Sequence, residues 1–218
     1  MNSRALTILS LLVAGIVVAA PIRAGTVATP DGLAPVHSSN LDELYLRPGV
    51  NFAAYRKIMV DPVPVTFHPN WLKYSYYPRE IVRPVSEDEV TRIAEDTGST
   101  AYESIADAFR TRGYEIVTSA APGVLRLSPS VADLYVNAPT RSSPYPIKTF
   151  TREAGDAMLL LEARDAVTGT LLGRVVHHGR AQQLGRLSRA SDVSNRFWFE
   201  TLLRRWAVNC AVELEAVR

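Results

Sequence analysis

The chain has 218 residues, 47% of them hydrophobic, with 24 Lys+Arg against 22 Asp+Glu and a formal net charge of +2. Nucleic-acid binding usually shows as a clustered basic surplus, and none is present, so the composition argues against a nucleic-acid partner. The length suits a domain with a sizeable core, and the single cysteine, Cys210, excludes an intramolecular disulfide.

The first predicted element is a secretory signal peptide over residues 1–24. Arg4 precedes an unbroken apolar run, Ala5–Ala20, and small residues follow at Ala24–Gly25. The run of about 16 residues is shorter than the roughly 20 that a membrane-spanning helix needs. We therefore expect cleavage after Ala24 and export to the periplasm or the outer-membrane periphery, with an uncleaved inner-membrane anchor as the alternative.

Cleavage at that point makes the mature chain close to neutral. It removes Arg4 and Arg23 from the 24 basic residues, which leaves the same number as the 22 acidic ones. No later segment is apolar enough to cross a bilayer, so we expect no integral membrane span in the mature chain.

Residues 25–50 are rich in Gly, Pro, Ser and Asn and predict a flexible leader, while residues 51–218 predict a single domain. The first strand signal is Lys57–Phe67. Its Pro62 and Pro64 cannot donate ladder hydrogen bonds, so the second half of this strand is expected at a sheet edge or a bulge.

A helix is predicted next, followed by a long strand. The helix begins at the capping box Ser86–Glu89, is expected to pause at Gly98, and stops at Gly113. The strand covers Val124–Val136, and Pro129 within it predicts a bulge.

The last third of the chain predicts a loop, a hairpin and a helix. Residues 137–155 form the polar loop, and Ala157–Ala163 pairs with Leu171–Gln182 across the turn Asp165–Gly169. The helix begins near Asp192 and carries one apolar stripe. The stripe consists of Phe199, Leu203, Trp206, Cys210 and Leu214.

These patterns predict an α+β fold: a single domain with a mostly antiparallel sheet and helices packed on one face. Because Cys210 lies on the apolar stripe, we expect it to be a buried small hydrophobe rather than a reactive thiol.

The sequence predicts no catalytic, cofactor-binding or metal site. His177 and His178 are neighbours on a predicted strand, so their side chains point to opposite faces and cannot share one ion. Asp165 is expected to accept amide hydrogens across its turn, and Asp61 to act as a similar turn acceptor. There is no Gly-x-Ser-x-Gly elbow and no glycine-rich phosphate loop.

An aromatic segment is the best candidate for partner binding. Trp71, Tyr74, Tyr76 and Tyr77 fall within seven residues and could form an exposed recognition patch. The alternative is that these rings cover the sheet edge beside the proline-containing strand.

Several signatures occur in order along the chain, and no single one is specific. They are Leu46–Phe52 (LRPGVNF), Lys57–Val63 (KIMVDPV), Trp71, Ser86–Glu89 (SEDE), Gly113–Val117 (GYEIV), Val124–Leu127 (VLRL), Asp133–Leu134, Leu161–Asp165 (LEARD), Thr168–Gly169 and Phe199–Ala207 (FETLLRRWA). Together, from about Tyr45 to Val217, they resemble the bacterial family catalogued as domain of unknown function 3313.

The resemblance implies a secreted, single-domain envelope protein, and it supplies no catalytic residues. Family members typically look like lipoproteins, with a cysteine at the end of the signal. Here Ala24–Gly25 occupies that place, so the sequence offers no thiol there for lipid attachment.

We therefore expect a non-enzymatic binding or accessory protein of an envelope assembly, with an envelope protein as its partner and no cofactor. The alternative is a small hydrolase acting on an envelope substrate. That activity would require carboxylates around Asp61, Asp133 or Asp165 to converge in a cleft.

Overall fold

The computed structural model describes residues 29–71, 85–137, 150–151, 153–182, 188–189 and 192–217. Its strands are β1 (Ala34–Val36), β2 (Glu43–Leu46), β3 (Lys57–Val60), β4 (Val65–Phe67), β5 (Glu115–Ile116), β6 (Val124–Val136), β7 (Phe150–Thr151), β8 (Glu153–Asp165), β9 (Leu171–Gln182) and β10 (Ser188–Arg189). Its helices are α1 (Glu87–Arg110) and α2 (Asp192–Ala216), and a 3₁₀ turn spans Phe52–Ala54.

Eight of the described strands form one mixed sheet in the order β1-β2-β9-β8-β6-β3-β5, and β4 also pairs with β6. In this order, the pairs β1–β2, β2–β9, β9–β8 and β8–β6 are antiparallel. Strands β3 and β4 run parallel to β6, and β5 runs parallel to β3. The parallel part follows from α1, which carries the chain from β4 back to the start of β5 as a crossover. Strands β7 and β10 form a separate antiparallel pair.

Both helices pack against the same face of this sheet, which confirms the predicted α+β class. On β8 the buried Leu159 and Leu161 alternate with the partly exposed Leu160 and Glu162. The buried residues of the central strands form one cluster with those of α1 and α2. We call the opposite side of the sheet, on which neither described helix packs, the open face. Neither described helix is apolar enough along its length to cross a bilayer.

The predicted strand over Lys57–Phe67 is two strands, β3 and β4, which are separated at Pro62–Pro64. We call residues Pro62–Pro64 the proline segment. Both strands pair with β6: the Asp61 amide donates to the Leu127 carbonyl at 2.9 Å, and the Val131 amide donates to the Pro64 carbonyl at 3.0 Å. The backbone groups of alternate residues in a strand point to the same side, so the nitrogen of Pro129 points to the same side as the Leu127 carbonyl and the Val131 amide. It lies between these two hydrogen bonds. Pro129 therefore loses no ladder bond, and no bulge forms there.

The bulge of β6 lies instead between Ala132 and Tyr135, where two residues oppose one residue of β8. Asp133 has φ 51°, a left-handed conformation that Asp tolerates better than most residues. On β8, a Cβ at Gly155 would lie 1.9 Å from the Tyr135 carbonyl oxygen, so only glycine fits beside the bulge. From Leu125 onward, the buried residues of β6 accordingly have odd numbers before the bulge and even numbers after it.

The structure differs from the prediction of a leader over residues 25–50, because β1 and β2 lie within that range. They pair with each other, and β2 also pairs with β9. Leu44 and Leu46 are buried while Glu43 is exposed, a period of two over only four residues. Likewise, β8 begins at Glu153, inside the segment predicted as a loop.

The N-terminus of α1 confirms the predicted capping box. The Ser86 hydroxyl accepts from the Glu89 amide at 3.3 Å, and the Glu89 carboxylate accepts from the Ser86 amide at 2.9 Å. The predicted pause at Gly98 is wrong, because the helix is continuous. A Cβ at Gly98 would lie 2.7 Å from the Val63 carbonyl oxygen, so this glycine allows close approach to the proline segment.

Gly98→Ala should destabilise the protein even though it improves helix propensity. Overpacking of this kind costs about 1–3 kcal/mol and outweighs the roughly 1 kcal/mol gained when Ala replaces Gly in a helix. The measurement is the free energy of unfolding in urea. Ser99→Ala, at the exposed neighbouring position, is the matched control and should be neutral or slightly stabilising. A stabilised Gly98→Ala would contradict the close approach.

Candidate functional site

Trp71, the first residue of the aromatic segment, is buried. Its side chain is 3% exposed, its ring stacks on Phe67 at a centroid distance of 4.7 Å, and its Nε1 donates to the Val136 carbonyl at 2.8 Å. This ring covers the end of the sheet instead of forming an exposed patch. Tyr74, Tyr76 and Tyr77 lie outside the described residues, and their role in partner binding stays a prediction.

The aromatic segment and the loop predicted from residue 137 begin close to each other. Trp71 opens the first, and its indole is bonded to Val136, which directly precedes the second. Val85, which directly precedes the capping residue Ser86, lines a pocket together with Val136. The structure thus brings together chain positions that are far apart in sequence.

This pocket, which we call the end pocket, lies between the N-terminal halves of α1 and α2 at the end of β6. It encloses about 90 Å³, room for several water-sized groups. Its apolar lining residues are Val85, Ile93, Val136, Phe199 and Leu203. Its polar lining residues are Glu89, Arg92, Asp96, Thr97, Thr100, Asn195, Arg196 and Glu200.

Polar contacts hold the rim of the end pocket in place. Arg196 Nη2 lies 3.0 Å from Asp96 Oδ2 and joins the two helices; both side chains are exposed, so the pair contributes little to stability. The buried Asn195 donates to the Asn137 carbonyl at 3.2 Å. An apolar base with a polar rim is suited to hold an apolar group while the rim fixes its orientation.

Asp165 has the predicted structural role. Its carboxylate accepts from the amides of Val167 and Thr168 at 3.0 and 2.8 Å, and Gly169 has φ 70°. The Tyr55 hydroxyl donates to the same carboxylate at 3.0 Å. The Thr168 amide is the main reason why the pKa of Asp165 is lowered, while burial and this carboxylate raise the pKa of Tyr55 to about 12.

Asp61 does not act as the predicted turn acceptor. Both its carboxylate oxygens accept from Arg126 Nε, at 3.0 and 2.9 Å, and one also accepts from the Ser128 hydroxyl at 2.6 Å. Arg126 and Ser128 lie on the open face, whereas Asp165 lies in the β8–β9 turn. Asp133 is exposed in the β6 bulge. These three carboxylates therefore lie in three different surroundings.

A second charged cluster lies on the open face around Glu162. Its carboxylate contacts Arg164 at 2.7 Å and Arg174 at 2.9 Å, and Arg174 also contacts Asp31 at 2.9 Å. Burial acts to raise the pKa of Glu162, but the hydrogen bonds from the two arginines outweigh it and lower the pKa. The carboxylate is therefore held ionised as a bridge between strands.

The histidine pair behaves as strand alternation predicts: His177 faces the helices and is half-buried, while His178 is exposed. The His178 amide donates to Asp42 Oδ2 at 2.7 Å. His177 Nδ1 lies 3.2 Å from the same oxygen without hydrogen-bond alignment. Among the described residues, no group of three or more potential ligands is placed to hold a metal ion.

Cys210 is fully buried, as predicted. Burial raises the pKa of its thiol far above the ordinary value, so the reactive thiolate form is suppressed.

The structure defines the class of the protein as a two-layer α+β domain with a pocket between its helices. The model of the family "Protein of unknown function (DUF3313)" matches residues 24–209, and the chain belongs to this family. The resemblance of the sequence to that family is thus confirmed. No curated protein matches the chain.

Solved structures to which the chain is similar include two bacterial proteins. The PelC dodecamer from Paraburkholderia phytofirmans is 11% identical, with a TM-score of 0.37, covering 76% of this chain and 96% of that one. Protein XCC0632 from Xanthomonas campestris, described under the family model DUF330, is 12% identical, with a TM-score of 0.42, covering 81% and 90%. At these scores nothing about function follows from the likeness.

The sequence did not indicate the end pocket as a site, although it indicated some of its residues. Phe199 and Leu203 were predicted as stripe residues of α2, and Val136 as the end of a strand. What brings them together with Ile93 is the packing of α1 against α2, which no local pattern specifies.

The Asp165 turn predicts an acid-dependent loss of stability. Because its folded pKa is lowered, Asp165 contributes stability above its unfolded pKa of about 4. That contribution is lost as the pH falls through the lower folded value. Asp165→Asn should lower the unfolding free energy by about 1 kcal/mol at pH 7 and by less at pH 2–3. Urea unfolding against pH measures both.

The matched control for this prediction is Glu95→Gln, at an exposed position of α1. It should leave the pH dependence of unfolding close to that of the unmodified protein. A constant difference between Asp165→Asn and the unmodified protein from pH 7 to pH 2 would contradict the role assigned to the turn.

Proposed function

We propose that the chain is an exported, non-enzymatic binding protein that serves as an accessory part of a cell-envelope assembly and contacts a protein partner at the end pocket. The observation that carries the proposal is that Val136, which accepts a hydrogen bond from Trp71 at the start of the aromatic segment, lines this pocket together with Val85.

The chemistry of the pocket supports binding through an inserted apolar group. Its base is made of aliphatic side chains and Phe199, and its rim carries both signs of charge, including Arg92 and Glu89. Interfaces commonly combine an apolar centre with a polar rim, because desolvation of the centre supplies affinity and the rim supplies specificity.

The arrangement of carboxylates favours binding over the hydrolase alternative. A hydrolase of the kind considered needs two carboxylates at one reacting bond. Asp61 is engaged by Arg126 and Ser128, and Asp165 by the amides of its own turn, at separate places in the domain. Both carboxylates therefore have structural roles.

Export is tested by cell fractionation with mass spectrometry of the mature N-terminus. We expect the chain in the periplasmic or outer-membrane fraction, beginning at Gly25. Ala24→Gln should block cleavage, because signal peptidases need small residues at the cut, and should retain the chain in the inner membrane. A full-length chain in the cytoplasm would overturn the proposal.

Partner contact is tested by placing a photo-crosslinking amino acid at Arg92, on the rim of the end pocket. Val167 is the matched control, because it is exposed in the β8–β9 turn, beside the opposite end of β6. We expect a discrete crosslinked envelope protein from position 92 in intact cells and none from position 167. Equal yields, or no crosslink from either position, would count against the pocket as a contact.

A further inference from the structure

The outer edge of β9 is paired over only part of its length. Strand β2 pairs with β9 from Gly173 to Val176, whereas β8 pairs along the other side of β9 as far as Gln182. Among the described residues, no strand lies beside the outer edge from His178 onward. We call the stretch His178–Gln182 the free edge. An unpaired strand edge presents amide and carbonyl groups to which another strand can add.

Two hydrogen bonds show which residues of β9 direct their backbone groups outward. The Leu172 carbonyl accepts from the Arg47 amide at 2.8 Å, and the His178 amide donates to Asp42 Oδ2 at 2.7 Å. Alternate residues of a strand point to the same side, so the amide and the carbonyl of Arg180 also point outward. The described part of the chain gives these two groups no partner. The Asp42 side chain thus takes the place of a neighbouring strand at His178, and the backbone of Arg180 is left open.

An aromatic pair lies above the free edge on the helix side of the sheet. A Cβ at Gly179 would lie 2.6 Å from Leu202, so α2 passes directly over this part of β9, whereas Phe199 lies over β8. Trp198 precedes Leu202 by one turn and therefore lies on the outer side of α2, away from β8. Its ring contacts that of Phe197 at a centroid distance of 5.2 Å, and Phe197 is 58% exposed. An added strand would cover these rings with its helix-facing side chains.

A cation lies at the free edge on the other side of the sheet. Gly179 and Ala181 are buried against the helices, so Arg180 between them lies on the open face, where it is exposed. Arg180 forms no ion pair with any described residue. Residues directly opposite each other on neighbouring strands share a face, and opposite charges at such positions are stabilising. The residue that an added strand places opposite Arg180 should therefore be Asp or Glu.

The same charge argues against a second copy of the chain as the occupant. Arg180 is the central residue of the free edge, so full antiparallel pairing of two copies would place Arg180 opposite Arg180. Like charges directly opposite each other are destabilising. Arg180 therefore discourages self-pairing while it favours an acidic strand from another chain.

We propose that the free edge binds an extended segment of a partner protein as an additional antiparallel strand. The segment carries Asp or Glu on the face opposite Arg180 and apolar residues on the face toward Phe197 and Trp198. Antiparallel pairing is assigned because both described neighbours of β9 are antiparallel to it, and because this pairing is slightly more stable per residue. The identity of the partner as an envelope protein rests on the proposed function, whereas the binding chemistry of the edge does not.

The probe is a seven-residue peptide of alternating Glu and Val, labelled for fluorescence anisotropy, and the matched peptide carries Lys in place of Glu. We expect the purified mature protein to bind the Glu peptide at least tenfold more tightly than the Lys peptide. Equal affinities would overturn the proposal.

Backbone methylation of the Glu peptide distinguishes strand addition from binding through side chains alone. In an antiparallel pair the residue opposite Arg180 exchanges both backbone bonds with it, so the Glu amides point to β9 and the Val amides point away. N-methylation of the Glu residues should therefore weaken binding at least tenfold, and N-methylation of the Val residues less than threefold. An equal loss, or a larger loss in the Val-methylated peptide, would overturn the proposal.

Amide hydrogen exchange tests whether the edge is open. The Arg180 amide should exchange rapidly in the free protein and at least tenfold more slowly with saturating Glu peptide. The amides of Gly179 and Ala181 point to β8 and are internal controls, which should exchange slowly in both states. A slow Arg180 amide in the free protein would show that the edge is already paired and would overturn the proposal.

Protein variants test the charge at the free edge. Arg180→Glu should reverse the preference, so that the Lys peptide binds at least fivefold more tightly than the Glu peptide. Arg204→Glu makes the same change at an exposed residue on the side of α2 that faces α1, and should alter the affinity for the Glu peptide less than twofold. The same loss of preference in both variants would overturn the assignment.

Other occupants of the edge give different results. A dimer in light scattering that the Glu peptide dissociates would show a second copy of the chain at the free edge and would overturn the proposal. The outcomes also separate this inference from the proposed function. A cytoplasmic chain that binds the Glu peptide would overturn the function alone. An exported chain that crosslinks at position 92 but does not bind the peptide would overturn the free-edge assignment alone.

Discussion

The packing of this domain depends on a break in one ladder of its sheet. Between β3 and β4 the segment Pro62–Pro64 faces Pro129 of β6, so backbone groups that elsewhere hold strands together are missing on both sides. The Val63 carbonyl is directed instead at α1, where Gly98 leaves room for it. The helix is therefore seated by backbone contact as well as by apolar side chains.

The end pocket lies where α1 and α2 meet at the end of β6. Two helices held on one face of a twisted sheet leave depressions where their side chains are small or where they diverge. The Trp71 indole is bonded to Val136, which lines the end pocket, so a buried contact holds one part of its lining in place.

The sequence predicted elements with strong local signals and missed those decided by distant contacts. The Ser86 capping box, the Asp165 turn and the apolar stripe of α2 depend on residues a few positions apart, and all three are confirmed. The bulge at Pro129 and the pause at Gly98 were wrong for one reason. In an isolated element, a proline in a strand loses a ladder hydrogen bond and a glycine weakens a helix. In this fold Pro129 faces the break between β3 and β4, and Gly98 lies against the Val63 carbonyl, so neither residue interrupts its element. Strands β1 and β2 are so short that a period of two over three or four residues gives too little signal to predict a strand.

The same limit applies to the site. Residue composition indicated Trp71 as a binding residue, but its Nε1 bond to Val136 and its stacking on Phe67 make it part of the core. Ile93 and Phe199 carried only the signal of ordinary core positions, although they line the end pocket. Which buried residues border a depression depends on the angle between two helices, and a single sequence does not encode that angle in any local pattern.

The bulge of β6 also affects which changes in chain length the domain can accept. Because Asp133 is the extra residue of the bulge, its deletion would restore a regular strand without moving the residues before it. Leu134 and Val136 would still face the core and Tyr135 the opposite side, since regular alternation from Val131 gives these same faces once the extra residue is gone. Deletion of one residue before the bulge would instead turn the residues between that point and the bulge to the wrong face. The length of β6 can therefore change at Asp133 without exchanging core and exposed side chains, whereas elsewhere in the strand it cannot.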